Sequence, residues 1–411
     1  MQKHDFVEPI KLYSVLRERE YPFILESAEK AGNARYSYIS FDPLYVVEIK
    51  DGLFVDGEEI SKVSDPFEAL KGIHVRGMLV GYFSYSSVLS FLGKKVEESS
   101  CFACYDGYFV YDHYLGKLFS KNVENADAIV ERAKREKLET SEGGASIIRQ
   151  DDREYFEKMV LKAKEFIEEG EVYQLVLSRE YEVKSDFDPF EIYLRLRNLN
   201  PSPYMFLIEF EKSLIGSSPE TMGRVEDRIF RINPIAGTAK RVEGREKEII
   251  ENLLRDEKEI AEHVMLVDLA RNDVRKVCRA GSVKVERFME AVVYPGVIHI
   301  ESEVVGELKP NVTHFDAMKA AFPAGTVTGA PKRRAIELID ELERTKRRVY
   351  GGAVGYFSQR VSDMAIAIRM VEYDGKCRIR AGAGIVADSR PDKEFFETEN
   401  KISKVLEAVG L

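Results

Sequence analysis

The sequence predicts an α+β protein built on large, mainly antiparallel sheets. Three observations carry this: short β-branched and aromatic runs recur from end to end, amphipathic helical segments separate them, and the two lack the regular alternation of a doubly wound sheet. A chain of 411 residues is long enough for about two or three domains, and no internal repeat is visible.

Taken in order, residues 1–135 carry strand-like runs at Arg35–Ser40, Leu44–Ile49, Met78–Phe83 and Gly107–Tyr111. A helical stretch, Ala126–Lys137, runs into Thr140-Ser-Glu-Gly-Gly-Ala-Ser146, a composition that reads as a linker. An N-terminal domain, 1–145, and a second domain, 146–411, are therefore expected. The second opens on an amphipathic helix, Asp151–Glu169, with Phe156, Met159, Val160, Ala163 and Phe166 at helical spacing. Strands are expected at Tyr173–Tyr181, Tyr204–Phe210, Lys212–Ser217, Ala291–Val305, Gly352–Phe357, Met364–Tyr373 and Lys376–Ala383, and helices at 189–198, 244–270, 313–320, 331–344 and 391–409.

A net charge of −10 leaves no broad basic face for nucleic acid or anionic lipid. The N-terminus has no signal-peptide core, and no apolar run approaches the ~18 residues that span a bilayer, so a cytoplasmic protein is expected. Four cysteines in a chain this long make no disulfide framework, and Cys101-Phe-Ala-Cys104 lacks the second pair a zinc site needs. Abundant Glu and Lys with four glutamines lean toward a thermophile. Lys346-Arg347-Arg348 follows the helix beginning near Pro331 and reads as cations complementing a helix C-terminus.

Two Glu-x-x-Glu pairs, Glu259/Glu262 and Glu394/Glu397, fall in helical segments, where a spacing of three puts both carboxylates on one face. Such pairs are usually solvated, but a divalent cation between two such helices would turn their repulsion into binding. Arg380-Ala-Gly-Ala-Gly-Ile-Val-Ala387 imitates a dinucleotide fingerprint, yet no helix starts off its glycines. It reads as a turn, or as a loop whose Gly382 and Gly384 N–H groups approach a carboxylate. Gly325-Thr-Val-Thr-Gly-Ala-Pro-Lys332 is not a P-loop but could cradle an anion. Asn233-Pro-Ile-Ala-Gly-Thr-Ala-Lys-Arg241, by itself, is a loop.

Together with 262–273 and Tyr350-Gly-Gly-Ala-Val-Gly-Tyr-Phe357, these blocks follow an order and spacing that resemble the chorismate-utilising enzymes, in particular the large-subunit (component I) group of anthranilate synthases. The resemblance covers nearly the whole chain, most strongly 170–405. It implies an α+β fold with two orthogonally packed sheets. It also implies Mg2+ held directly by Glu262 and Glu397, with Glu259 and Glu394 acting on its waters. Arg369 and Tyr350 match the groups that hold the enolpyruvyl carboxylate, with Tyr350 one residue closer to Arg369 than in relatives. Thr326, Gly382, Ala383 and Gly384 match other substrate contacts. Glu220 matches the general acid for the departing hydroxyl, His299 the histidine of proton transfer, and Thr238 and Gln174 complete the catalytic set.

Two positions discriminate within the family. Ala236 stands where most aminodeoxychorismate synthases carry a nucleophilic Lys, and Gln174 stands where isochorismate and salicylate synthases carry the Lys that activates water. Both point to ammonia as the nucleophile and anthranilate as the product; an aminodeoxychorismate synthase component, or a non-catalytic tryptophan-binding subunit, is the alternative. No cysteine lies between glycines as an amidotransferase nucleophile would, so a separate glutamine amidotransferase subunit (component II) and a hetero-oligomer are implied. Glu26, Ser27, Pro203, Tyr204 and Met205 match the family's tryptophan feedback site, the Glu or nearby backbone holding the ammonium.

Overall fold

The computed structural model describes residues 1–28, 35–138, 141–294 and 296–411, with the side chain of Thr238 outside that description. Two antiparallel sheets dominate. The first runs, in hydrogen-bonded order, Gln2–His4, Lys117–Lys121, Tyr108–Asp112, Tyr36–Ser40, Phe23–Glu26, Tyr204–Glu209, Ser213–Ser218, Met370–Tyr373, Cys377–Ile385, Gln174–Ser185 and Ala145–Gln150, with the short strand Gly329–Ala330 also on Gln174–Ser185. The second runs Ile235–Lys240, Val297–Glu307, Ile229–Ile232, Thr221–Glu226, Val361–Ile366, Ala353–Ser358, Met78–Phe83, Ser100–Tyr105, Tyr45–Ile49, Leu53–Val55 and Glu58–Ser61, with Lys284–Val293 also on Val297–Glu307.

Alternation along these strands sends one set of side chains between the sheets and the other outward. Phe23, Phe206, Leu214 and Met370 of the first sheet meet Met78, Val80, Tyr105 and Val354 of the second in a common core. Outside the first sheet pack helices Pro9–Ser14, Ala126–Arg135, Pro189–Leu199 and Pro391–Val409. Outside the second pack Pro66–Leu70, Glu257–Val277 and His314–Ala321. The layers are thus helix, sheet, sheet, helix. Helices Arg153–Glu168 and Lys332–Leu342 close the end of the first sheet near Gln174–Ser185.

Both sheets cross the 145/146 point without a break. Phe23–Glu26 pairs with Tyr204–Glu209, and Met78–Phe83 with Ala353–Ser358. All four cysteines are buried and free, as expected.

Several elements differ from the sequence reading. The helix expected at 244–270 is two, Glu246–Leu253 and Glu257–Val277, because Asp256 caps the second by accepting from Lys258 and Glu259 N–H groups. Ala291–Val305 is two strands of a hairpin, and Met364–Tyr373 is two strands in different sheets. The block 233–241 is not a loop: Ile235–Lys240 is a strand paired with Val297–Glu307. Ala381–Gly384 likewise lies inside the strand Cys377–Ile385 and is no turn. Lys346-Arg347-Arg348 is not a helix-terminal cation cluster: the helix ends at Leu342, Arg347 is buried, and Arg348 pairs with Glu180 at 2.9 Å.

Candidate active site

The chain passes between the sheets at two neighbouring points, and a candidate residue sits at each. Glu220 links Ser213–Ser218 of the first sheet to Thr221–Glu226 of the second; Arg369 lies between Val361–Ile366 of the second and Met370–Tyr373 of the first. The crossings are tied together. Ile366 N–H donates to the Glu220 carbonyl at 3.0 Å, and Ser217 N–H donates to the Arg369 carbonyl at 3.1 Å. Arg369 adopts φ +51°, a left-handed conformation costly for a side chain with a Cβ and persisting where surroundings fix it.

Burial pushes the Glu220 carboxyl up to about 7, against the opposing pull of a hydrogen bond from Thr326 and the charges of Lys401 and Arg369. The Thr326 hydroxyl donates to Glu220 Oε1 at 2.9 Å. Burial also lowers the Arg369 pKa, while Tyr350, Glu220 and Glu397 oppose that shift. Among the described residues, none hydrogen-bonds or ion-pairs with the Arg369 guanidinium, so its fork is free for a carboxylate.

The strand Cys377–Ile385 forms a wall. It pairs with Gln174–Ser185 on one side, but its other neighbour, Met370–Tyr373, pairs only as far as Ile379, leaving the edge beyond open. Gly382 and Gly384 share one face of this wall, where bulk is excluded. A Cβ on Gly382 would meet Leu177 O at 2.9 Å and Tyr350 Oη at 3.0 Å; on Gly384 it would meet Gln174 Nε2 at 2.6 Å. The Ala383 side chain turns to the opposite face and packs in the core with Phe156 and Leu177, so its backbone is what it offers to a ligand. The Gln174 amide donates to Glu262 Oε1 at 3.3 Å, and Lys401 Nζ donates to Gly382 O at 3.1 Å.

The four glutamates assemble as carboxylates that feel one another. Burial raises the Glu259 pKa, and so do Glu262, Asp256 and Glu397. Burial raises that of Glu394, as does Glu397. Glu397 is exposed and ion-pairs with Lys401 at 2.6 Å. Among the described residues no three acidic, His or Cys side chains converge on one point. An all-oxygen set of mutually repelling carboxylates suits a hard cation that takes its other ligands from water and substrate, as Mg2+ does.

His299 is half-buried in Val297–Glu307, opposite Thr238 and Val292. Burial lowers its pKa, Gly237 opposes this, and Arg369 adds to it, so the ring is neutral. The Thr238 side chain lies outside the described residues. Ala236, on the same strand, is buried and opposite Ile300.

The five expected feedback residues gather elsewhere. Glu26, Ser27, Pro203, Tyr204 and Met205 all line a cavity of about 400 Å³ between the sheets, with Tyr36, Tyr38, Tyr294 and Tyr356 around it. The Glu26 carboxylate is already engaged, which corrects its expected use as an ammonium acceptor. Arg197 grips both oxygens at 2.7 and 2.8 Å, and Tyr193 donates at 2.7 Å. Its backbone is what remains for a ligand. Pro219 and Thr221 line this cavity while Glu220, between them, lines a small pocket with Thr326; Thr221 and Asn233 line both, so one wall divides the two chambers. Tyr36, Tyr38, Tyr294 and Tyr356 as cavity residues, and the buried pairing of Arg347 with Glu343, went unseen in the sequence, because only the fold brings these groups together.

A profile described as chorismate binding enzyme matches residues 21–407. The chain belongs to the family of chorismate-binding enzymes, and the site is an enzyme's. Within that family, the chains it matches over nearly its full length include component 1 of anthranilate synthase from several organisms. The chain is 71% identical to that of Archaeoglobus fulgidus, covering 100% of both, and 55% identical to that of Thermococcus kodakarensis, covering 98% of both. The crystal structure of anthranilate synthase component I from Streptococcus pneumoniae matches with a TM-score of 0.78 at 33% identity, over 92% of this chain and 93% of that one. No helix among the described residues is long and apolar enough to cross a membrane.

Proposed function

We propose that the protein is the large subunit of a cytoplasmic anthranilate synthase. It adds ammonia at C2 of chorismate, expels the C4 hydroxyl as water, then releases pyruvate to leave anthranilate; chorismate and ammonia balance anthranilate, pyruvate and water. The observation that carries this reading is the sheet junction, where a carboxyl half protonated near neutrality stands in the field of the buried Arg369 guanidinium.

Arg369, with Tyr350 beside it, grips the enolpyruvyl carboxylate, and the open glycine edge admits the ring close to backbone. Glu220, protonated below about pH 7, gives its proton to the departing hydroxyl. Gln174 cannot act as a base and Ala236 offers no amine, so ammonia, which needs no activation, is the nucleophile. In the second step the C2 proton leaves, the C3–O bond breaks, and the released enolpyruvate takes a proton; His299, whose lowered pKa favours the neutral ring, moves one. Glu262 and Glu397 would hold Mg2+, with Glu259 and Glu394 on its waters, and the ion would supply positive charge facing the ring carboxylate. A separate glutamine amidotransferase subunit supplies the ammonia in a hetero-oligomer. Tryptophan occupies the inter-sheet cavity as inhibitor, its indole among the tyrosines, and acts on Glu220 through the shared wall.

The purified chain with chorismate, Mg2+ and an ammonium salt should form fluorescent anthranilate. With glutamine alone it should not, until the amidotransferase subunit is added. Accumulation of aminodeoxychorismate without anthranilate would overturn the assignment.

A further inference from the structure

Below the pocket lies a charged cluster that this chemistry does not use. The Arg347 and Glu343 side chains are 2% and 3% exposed. Arg347 Nε and Nη2 donate to the two Glu343 oxygens at 3.0 and 2.7 Å. The same guanidinium donates through Nη1 to Val327 O at 2.6 Å and through Nη2 to Val176 O at 2.8 Å. Its carbon lies 4.7 Å from the Tyr85 ring centroid and 5.8 Å from that of Tyr350. Glu343 in turn accepts from Ser178 N–H and Oγ, both at 2.8 Å, and from Arg380 at 3.0 Å.

Each contact lands beside a site residue. Val327 follows Thr326. Val176 is two residues past Gln174 and pairs with Gly384, while Ser178 pairs with Gly382. Stability does not account for so costly a cluster, because packed apolar groups of equal volume often hold a core as well as a buried ion pair does. What apolar groups cannot do is fix two carbonyls and a carboxylate at set angles, which the planar five-donor guanidinium does.

We infer that Arg347 is a positioning residue for the reaction proposed above: it clamps the Thr326 turn to the Gln174 strand so that the Thr326 hydroxyl meets Glu220 and the Gln174 amide meets Glu262. This rests on that reaction. Arg347→Lys keeps a charge opposite Glu343, but an ammonium cannot hold the carboxylate at two points and both carbonyls together. Misplacing a reacting group by about 1 Å costs about 10²-fold, so kcat should fall on the order of 10 to 100-fold with KM for chorismate changed little.

Two further readouts separate positioning from bulk stability. The apparent pKa of the essential acid should rise in Arg347→Lys as it does in Thr326→Val, since both weaken the same hydrogen bond to Glu220. The double variant should lose less than the product of the two single losses, because both substitutions act through the Thr326–Glu220 contact. Losses that multiply, or an alkaline limb that stays in place while activity tracks the amount of folded protein, would overturn the inference. Arg347→Gln, whose amide keeps a donor where Nε stands and loses both Nη contacts, is read in the same way should the Lys variant not fold. Failure of the wild type to make anthranilate removes the underlying reaction, whereas a normal wild type with multiplying losses removes only the role of Arg347.

Discussion

Replacing Glu220 by Gln removes a carboxyl whose pKa stands at about 7 instead of the ordinary 4.5. That gap corresponds to about 3 kcal/mol at 1.36 kcal/mol per pKa unit, and the partial opening of the side chain to solvent reduces it to about 2 kcal/mol. The sign follows from linkage. The folded state holds the proton more tightly than the unfolded chain, so the stabilisation is fully present below about pH 4.5 and is lost as pH rises through about 7. An uncharged amide carries no such dependence. Glu220→Gln should therefore gain about 2 kcal/mol on the wild type between pH 4.5 and 8.5, read as the difference in unfolding free energy across pH. The protonated-carboxyl stretch in difference infrared spectra gives an independent readout. Activity should respond oppositely. An amide has no proton to give, so kcat should fall about 10² to 10⁴-fold, and the wild-type kcat/KM, referred to un-ionised ammonia, should decline through about pH 7. A stability difference flat with pH, or a variant that keeps its rate, would refute the assignment of Glu220 as the buried acid.

Other expected outcomes follow from the same geometry. Arg369→Met should lose about 10²-fold in kcat/KM with its melting temperature unchanged or higher, because the guanidinium is buried without a hydrogen-bond partner among the described residues; a drop in melting temperature with normal kinetics would contradict this. Gly384→Ala should drive its methyl into the Gln174 amide, 2.6 Å from the new Cβ, lowering activity and weakening Mg2+ affinity measured by calorimetry. Glu397→Gln should raise the Mg2+ concentration needed for turnover without unfolding the protein, as circular dichroism will record. Glu26→Gln should destabilise the chain by about 3 kcal/mol, since it breaks the two-point grip of Arg197, and should abolish tryptophan inhibition through loss of the cavity wall.

Much of this was legible in the sequence, and unevenly so. The α+β class and most strands followed from β-branched runs, because burial between two sheets selects those residues. The helix bearing Phe156, Met159 and Val160 followed from periodicity, and its observed span is Arg153–Glu168. Strands such as Ile235–Lys240 escaped because alanine and glycine, poor strand formers, fill half of a segment held by its partner Val297–Glu307 and not by its own propensity. Ala381–Gly384 escaped for a related reason: small residues read as a turn are here a strand kept bare for close approach. Glu220, Arg369 and Thr326 were identified by resemblance. That Glu220 and Arg369 occupy adjacent sheet crossings was not visible, because it depends on contacts between residues about 150 apart in sequence. Arg347 read as a cation complementing a helix C-terminus, since burial of a charge leaves no mark in a sequence until its partner Glu343 is seen beside it.

The central claim is that a site with an amide at Gln174 and a methyl at Ala236 uses ammonia, and neither water nor a protein amine, as nucleophile. Turnover of chorismate with nitrogen-15 ammonium in oxygen-18 water, resolved by mass spectrometry, tests it most directly. The account predicts an aromatic product carrying the heavy nitrogen and no heavy oxygen on the ring. Heavy oxygen on the ring, or a chorismate-derived adduct covalently held by the protein, would contradict it.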